Sequence, residues 1–591
     1  MKSTFLGTAA VAVASLALAS CGGGGGGGSR PSPTPAPSPA PAPAPAPTPT
    51  PTPTSANADL VTLTLDENFT NDGAVGTGRF PTDGSASTST SAIGAVEIEY
   101  DADEGRYIVR GNGLESVFGD ADIVAENDVS RTYGRESGST SEALVLTRPG
   151  LFGTEPLRYV AGGIYERAVE NGANVDATAL AFAYGVETLP GSTPETGGAH
   201  YGVALVGTSG LWGYAGAGRM TIDFAVGDFR MTIPVQEIDP DGNVLEFFFE
   251  FLAEGQLTSE TQFAGQFTLN TFERYAGGLS GRFYGPELQE VGAAFGGNGH
   301  SGAAIAGFIV GRESETATGE NLSAVNLFSD QTYELTGATS AHYANVAGDA
   351  YDRNIPDGGT IFVVNADGAT GDLRLTNYLG LDERLASDEG TLDESERFTT
   401  YELSSGETVS VYRPGPDNPQ LALTYVSFVK VDKVHFVDAD LGTRLSTSYI
   451  PFGTPTHIRP VIGSATYSGI AIGTATGVDN AYALEGTSSF TVDFETTDLS
   501  GTLLFDGTHL YTGELVTIEP LNFVGLLNYD QSDFQAEFSS TWDETMAGFL
   551  HGYLFGPNAE EIAATFEGVS ATDPLSGNYL EVAGIALARQ D

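Results

Sequence analysis

From Leu60 onward the sequence reads as short runs in which apolar and polar residues alternate, closed by Gly, Asp, Asn or Ser. Ala95-Val-Glu-Ile-Glu-Tyr100, Arg106-Tyr-Ile-Val-Arg110 and Met220-Thr-Ile-Asp-Phe224 are examples. Side chains on a strand point alternately to its two faces, so runs of this period predict half-buried strands. Ile361-Phe-Val-Val-Asn365 is more continuously apolar, and Asp367-Gly368 closes it as a turn. Turn punctuation about every ten residues is the pattern of antiparallel sheets in sandwiches and barrels. Helical periodicity is scarce, and short helices are expected only near 376–390 and 510–530.

The pattern is also repeated. Gly281-Arg-Phe-Tyr-Gly-Pro-Glu-Leu-Gln-Glu290 has a partner in Gly552-Tyr-Leu-Phe-Gly-Pro-Asn-Ala-Glu-Glu561, and each copy carries a further Phe, at Phe295 and Phe566. Arg148-Pro149-Gly150 matches Arg413-Pro414-Gly415, and Tyr159-Val160 matches Tyr425-Val426. Tyr201 and Gly207 match Tyr467 and Gly473; Thr221-Ile-Asp-Phe224 matches Thr491-Val-Asp-Phe494; Phe263 and Phe267 match Phe534 and Phe538. The order is kept throughout, which makes the chain two copies of one unit, roughly 56–313 and 314–591. Within each unit the second part carries the dense matches and the first diverges. Loops 189–198 and 451–460, rich in Pro, Thr and Gly, are the expected sub-domain boundaries. Gly-Pro is read as the end of a strand, because Pro cannot donate to the ladder. Of the two aromatics before it, at least one must face inward. The acids after Pro are read either as the solvated start of a turn or as partners for strand-end backbone donors.

Residues 1–20 have the form of an export signal, with Lys2 ahead of an apolar stretch from Phe5 to Leu18. Leu18-Ala19-Ser20-Cys21 resembles a bacterial lipobox, which implies that Cys21 is the lipid-attachment site of the mature protein. Gly22, where Asp would favour retention, points by analogy with the enteric rule to the outer membrane. Cys21 is the single cysteine, so the exported part folds without an intrachain disulfide. Residues 21–55 form a linker, seven glycines followed by a Pro-Ala-Thr tract. About 25 residues of extended polyproline would reach roughly 80 Å, enough to hold a folded body away from its anchor.

The formal charge of −52 opposes phosphate backbones and excludes nucleic acid as a partner. Catalytic and metal motifs are absent from the sequence: no Gly-rich phosphate loop, no His-Glu-x-x-His, no Gly-x-Ser-x-Gly and no Cys pair. The seven histidines (200, 300, 342, 435, 457, 509, 551) show no ligand spacing. No cofactor and no catalytic residue are assigned. Asp239, Asp241, Asn243 and Glu250 have part of a calcium-loop spacing. Val244 stands where the loop needs Gly, so Asp239–Asn243 is expected to be a hairpin turn between strands. Asp223 and Asp493, in the repeated Ile/Val-Asp-Phe strands, are read as polar residues on the outer or interstrand-paired side of a strand. The acidic run from Asp382 to Glu396 is expected to be an exposed loop, with docking of a basic partner as its alternative.

The final copy runs Ala465-x-Tyr467-x-Gly469, then Val492-Asp493-Phe494, then Gly552-x-x-Phe555-Gly-Pro-Asn-Ala-Glu-Glu561. It resembles the barrel domain of transferrin-binding protein B and related bacterial surface lipoproteins. The resemblance implies an all-β, bilobed chain, each lobe a handle sub-domain followed by an eight-stranded antiparallel β-barrel. The expected bounds are handle 56–196 and barrel 197–313, then handle 314–456 and barrel 457–591. Leu288-Gln289 departs from the family's Ala-Glu, and Leu554 from its Phe or Tyr. The function implied is a non-enzymatic binding protein, lipid-anchored at the outer membrane on the cell surface or the periplasmic face. It would capture a macromolecular or metal-carrying ligand, in iron acquisition, with an outer-membrane transporter as partner. No residue signature for transferrin itself carries over. A structural or adhesive surface lipoprotein is the alternative. A glycan hydrolase would instead require a cleft with two carboxylates at fixed separation.

Overall fold

The computed structural model describes residues 55–83, 86–150, 156–314, 319–344, 350–351, 361–377, 382–403, 406–438, 442–477, 480–528, 532–539, 547–572, 575 and 579–591. Its described residues form two compact units, one within 55–194, 200–220 and 231–317 and one within 195–199, 221–230 and 318–591. Among the described residues the only helix is a 3₁₀ turn at Asp120–Asp122; the regular structure is otherwise strand.

The first barrel closes from eight strands, Gly198–Ser209, Trp212–Asp223, Asp228–Ile238, Val244–Ser259, Gln262–Asn270, Arg274–Tyr284, Glu290–Gly299 and Ala304–Glu313. The second closes from Ser464–Gly477, Ala481–Asp493, Asp498–His509, Leu515–Leu527, Asp533–Ser539, Ala547–Phe555, Glu561–Thr572 and Tyr579–Gln590. Consecutive strands pair antiparallel, and the first pairs with the last. Closure leaves no free sheet edge. Both interiors are solid. Phe251 stacks on Phe267 with ring centroids 5.1 Å apart, and Phe295 meets both rings. In the second barrel Phe490, Phe505, Phe523, Phe534, Phe538 and Phe566 fill the corresponding space.

The repeated glycines follow from this packing. Gly207 pairs with Gly307 and Gly473 with Gly584 where each barrel closes. A side-chain carbon at Gly307 would lie 2.3 Å from the Phe295 ring, and one at Gly584 2.5 Å from Phe566. Each Phe therefore lies across a glycine pair at the seam.

Among the described residues the handles differ between lobes. In the first lobe Glu67–Pro81 and Asn174–Gly185 are the central strands of one ten-stranded sheet. In the second, the described strands form a four-stranded sheet, from Gln331–Thr336 to Asp382–Leu385, and a seven-stranded sheet centred on Val426–Asp438 and Gly442–Gly453.

Neither of the expected short helices is present among the described residues. Leu515–Leu527 is the fourth strand of its barrel, with Ile518, Leu521 and Phe523 facing the core. Its Glu519-Pro520 pair is absorbed by a register shift opposite Leu503/Phe505, where a missing Pro N–H costs no ladder bond. In 376–390, Leu373–Asn377 pairs with Asp382–Leu385. The acidic run is therefore partly strand rather than loop. Arg374 holds Asp382 at 2.7 Å, and Arg384 Nε donates to Asp372 at 2.8 Å, so arginines of the same sheet already pair with carboxylates there.

Candidate functional site: a handle clasp and an exposed aromatic rim

Tyr284, Gly285 and Pro286 end a barrel strand, and the backbone then turns through Gly285 at φ 84° and Leu288 at φ 59°. The second copy turns through Gly556 at φ 85° and Ala559 at φ 61°. Glycine suits the first position, and a side-chain carbon there would also strike the ring of Tyr159 (2.7 Å) or Tyr425 (2.6 Å). The turn delivers Glu290 and Glu561 to the start of the next strand, where both are buried.

Each carboxylate accepts three consecutive backbone N–H groups from its handle. Arg158, Tyr159 and Val160 donate to Glu290 at 2.8, 2.7 and 2.9 Å. Thr424, Tyr425 and Val426 donate to Glu561 at 2.6, 2.8 and 3.1 Å. Around the clasp the two lobes agree bond for bond. Thr188 and Thr456 donate to the carbonyls of Gly285 and Gly556, both at 2.6 Å; Tyr201 and Tyr467 donate to those of Leu288 and Ala559 at 2.9 and 2.8 Å. Burial raises both glutamates above the ordinary range, to about 7 for Glu561, and the three N–H groups partly offset it. Of the two sequence readings of these acids, partnership with backbone donors is the one observed, and the donors lie in the handle rather than at a strand end of the barrel. Both residues before the Gly-Pro are buried: Phe283 and Leu554 in the barrel, Tyr284 and Phe555 beneath the handle.

Asp493 follows the core-facing Val492 and so points away from the barrel interior, and Asp223, beside the buried Ile222, is itself fully buried. Each closes its strand and caps the following turn, accepting from Ala225 and Val226 at 3.0 and 3.4 Å or from Glu495 and Thr496 at 2.9 and 3.0 Å. Asp239 does the same for its hairpin, taking Asp241 N at 2.9 Å, Asn243 N at 2.8 Å and Asn243 Nδ2 at 2.9 Å, while Glu250 lies along the next strand opposite Asn270. His509 spends Nδ1 on the N–H groups of Tyr511 and Thr512. Among the described residues no three His, Cys, Asp or Glu side chains gather around a metal position. Cys21, with the signal and the linker as far as residue 54, lies outside the described residues.

A surface not anticipated from the repeat occurs at one end of the first barrel. Phe247, Phe248 and Phe272 are 64, 65 and 78 % exposed. Phe272 stands in the turn between Gln262–Asn270 and Arg274–Tyr284, its ring edge-on to Phe247 at 6.4 Å and to Phe249 at 5.3 Å. The long strand Val244–Ser259 pairs with Gln262–Asn270 only from Glu250 onward, so its first residues project past that neighbour. The signal was present in Phe247-Phe248-Phe249: strand alternation must turn at least one of three successive aromatics outward. Glu246, Glu250 and Arg274 are exposed around them. Exposed clustered aromatics with a charged rim mark protein-binding surfaces.

The fold and clasp define a class, a two-lobed β protein in which each lobe locks a sheet onto a filled eight-stranded barrel. Residues 459–580 match the family described as C-lobe and N-lobe beta barrels of Tf-binding protein B. The second barrel thus resembles the barrels of that family, and the first barrel repeats the second. Among solved structures it is similar to a single-site variant of the vaccine antigen transferrin binding protein B from Haemophilus parasuis Hp5, at 12 % identity over 88 % of this chain and 95 % of that one, TM-score 0.24. It is similar to intact Ap-TbpB, N and C lobes, at 13 % over 88 % and 95 %, TM-score 0.24. It is also similar to isotype 1 transferrin binding protein B from serogroup B Neisseria meningitidis, at 12 % over 73 % and 85 %, TM-score 0.25. No curated protein matches the chain.

Proposed function

We propose that the protein is a lipid-anchored receptor of the outer-membrane surface that captures a metal-carrying protein for iron acquisition and passes it to an outer-membrane transporter. The observation that carries this reading is the aromatic rim of Phe247, Phe248 and Phe272 on a filled, closed barrel. A filled barrel offers a rigid platform rather than a cleft, so contact with a partner falls to its loops and handle. The lipobox at Cys21 and the linker after it supply tether and reach. Family likeness supports a protein ligand, because relatives carry the name transferrin-binding protein. No role as an enzyme is assigned, since both barrel interiors are occupied by aromatic side chains.

The test is capture of iron-loaded transferrins, haem proteins and other metal carriers by the purified chain, together with proteinase treatment of intact cells. Binding to one carrier, with loss of the protein from intact cells on proteolysis, is the expected outcome. A folded sample that retains none of them overturns the iron reading. Loss of cell attachment in a deletion strain that grows normally under iron limitation would favour the adhesive alternative.

A further inference from the structure

The two clasps place the handle strands Val160–Asn171 and Val426–Asp438 in register. Val160 and Val426 are the last donors to Glu290 and Glu561, and they pair with Gly185 and Gly453 on the neighbouring strands. Counting along both strands sets Glu166 opposite Asp432, Ile164 opposite Lys430, Ala179 opposite Thr447 and Ala181 opposite Tyr449. On the barrels, the matching Tyr201 and Tyr467 bonds set Thr208 opposite Thr474.

In the second lobe this cluster is complete. Lys430 Nζ lies 2.7 Å from Asp432, Thr447 donates to Asp432 at 2.7 Å, and the hydroxyls of Tyr449 and Thr474 are 2.9 Å apart. Lysine occurs at only three positions in the chain, 2, 430 and 433, so an ammonium group here is not a matter of general surface composition. The first lobe keeps the acid and the threonine but has lost all three partners to Ile164, Ala179 and Ala181.

The polar groups left behind are unpaired. Glu166 is 8 % exposed, Thr208 5 % and Ser91 4 %, and Glu166 Oε2, Thr208 Oγ1 and Ser91 Oγ have no hydrogen-bond partner. All three side chains border one cavity of about 50 Å³ between the first handle and its barrel, otherwise walled by small residues such as Ala168, Ala177 and Ala304. Arg167 also borders it, with its guanidinium 3.9 Å from Glu142. Buried polar groups are ordinarily satisfied, so three orphans around one void call for a partner in it.

We infer that this cavity is a binding site for a small primary ammonium group, which supplies in the first lobe what the Lys430 side chain supplies in the second. Three N–H donors of an –NH₃⁺ match the three acceptor oxygens of Glu166, Thr208 and Ser91, and the alanine walls accept a short alkyl body. With no cation present, burial lifts the Glu166 carboxyl to about 8, and the nearby Thr208 hydroxyl, outside bonding geometry, offsets part of that rise.

The site is tested on the full mature chain in amine-free borate at alkaline pH, by calorimetric titration and melting with methylammonium chloride. Sodium and tetramethylammonium chloride at matched ionic strength are the controls. Saturable binding and stabilisation by methylammonium alone are expected, at least tenfold weaker in Glu166→Gln and absent in Ala179→Thr. The second variant adds the hydroxyl that the second lobe carries and occupies the cavity, on a backbone position that is only half-buried. An equal response to all three cations, an unchanged response in Glu166→Gln, or a high-resolution structure with methylammonium holding only water in the cavity would overturn the inference.

Discussion

Glu290 and Glu561 perform the same act in the two lobes: each gathers three consecutive backbone N–H groups, leading into a handle strand, onto one buried barrel carboxylate. The acceptor is repeated although the handles around it differ, one sheet in the first and, among the described residues, two in the second. A single side chain thus fixes where each handle begins on its barrel, independently of what the rest of the handle becomes.

Removing that acceptor is expected to be among the most damaging single changes. Glu561→Ala leaves the N–H groups of Thr424, Tyr425 and Val426 without partners in a dry seam, at a cost of about 3–5 kcal/mol. Glu561→Gln keeps one oxygen and turns an NH₂ toward the donors, at a cost of about 2–3 kcal/mol. Denaturant unfolding of both variants and of Glu290→Ala checks the order. Equal stability of wild type and Glu561→Ala would remove the clasp from the account.

The tight turn that carries the clasp makes an opposed pair of predictions. Leu288 and Ala559 have left-handed backbone at φ 59° and 61°, which costs an L-residue about 1 kcal/mol. Ala559→Gly relieves this with only a methyl lost, so a small gain of at most about 0.5 kcal/mol is expected after the added freedom of the unfolded chain. Leu288→Gly relieves the same strain but removes a buried side chain, for a net loss of about 1–2 kcal/mol. Melting of the two variants beside wild type distinguishes them by sign.

The repeat made the scaffold legible. Alternation predicted the strands, and the matched Gly-Pro stretches located one strand and its turn in each barrel. What could not be read locally was the partner of the repeated acid, because the donors to Glu290 lie some 130 residues upstream, and the match of Tyr159-Val160 with Tyr425-Val426 does not say what their backbone N–H groups meet. Leu515–Leu527 was not legible as one strand for a related reason: Glu519 and Pro520 form a bulge, two residues against Leu504, which breaks the alternation of the segment and is seen only against its neighbour. The aromatic rim was written in Phe247-Phe248-Phe249. Period two says that one of these faces outward, but not that Phe272 comes from another hairpin to meet them.

Burial of Glu166 predicts a stability that falls as pH rises. Its carboxyl is held at about 8 in the folded protein against an ordinary 4.5, so between those values the folded state binds the proton and the unfolded state does not. Stability from this group is complete below about 4.5 and is lost as pH rises through 8, by about 3–5 kcal/mol in total. Glu166→Gln does not titrate. In amine-free buffer its stability relative to wild type should therefore be near parity at pH 5 and clearly greater at pH 9. The comparison cancels the other titrating groups of the lobe, Glu142 among them. A pH-independent difference would mean that Glu166 is ionised in the folded chain throughout.

The aromatic rim separates binding from folding. Phe247, Phe248 and Phe272 are mostly exposed, so changing each to Ser gives up little buried area, and a stability change within about 0.5 kcal/mol is expected for each. Buried in a complex, the same rings would belong to the few residues that dominate affinity, and loss of one would cost 2 kcal/mol or more, about thirtyfold in Kd. The second barrel supplies the control: Leu515, 76 % exposed, begins the strand of that barrel matching Val244–Ser259, and Leu515→Ser should leave capture unchanged. Affinities of the four variants for whichever carrier the wild type retains, read beside their melting curves, decide the matter. Loss of capture without loss of stability in the three phenylalanine variants assigns recognition to the first barrel's rim. Full affinity in all three would move recognition to the handles, where the two lobes share least.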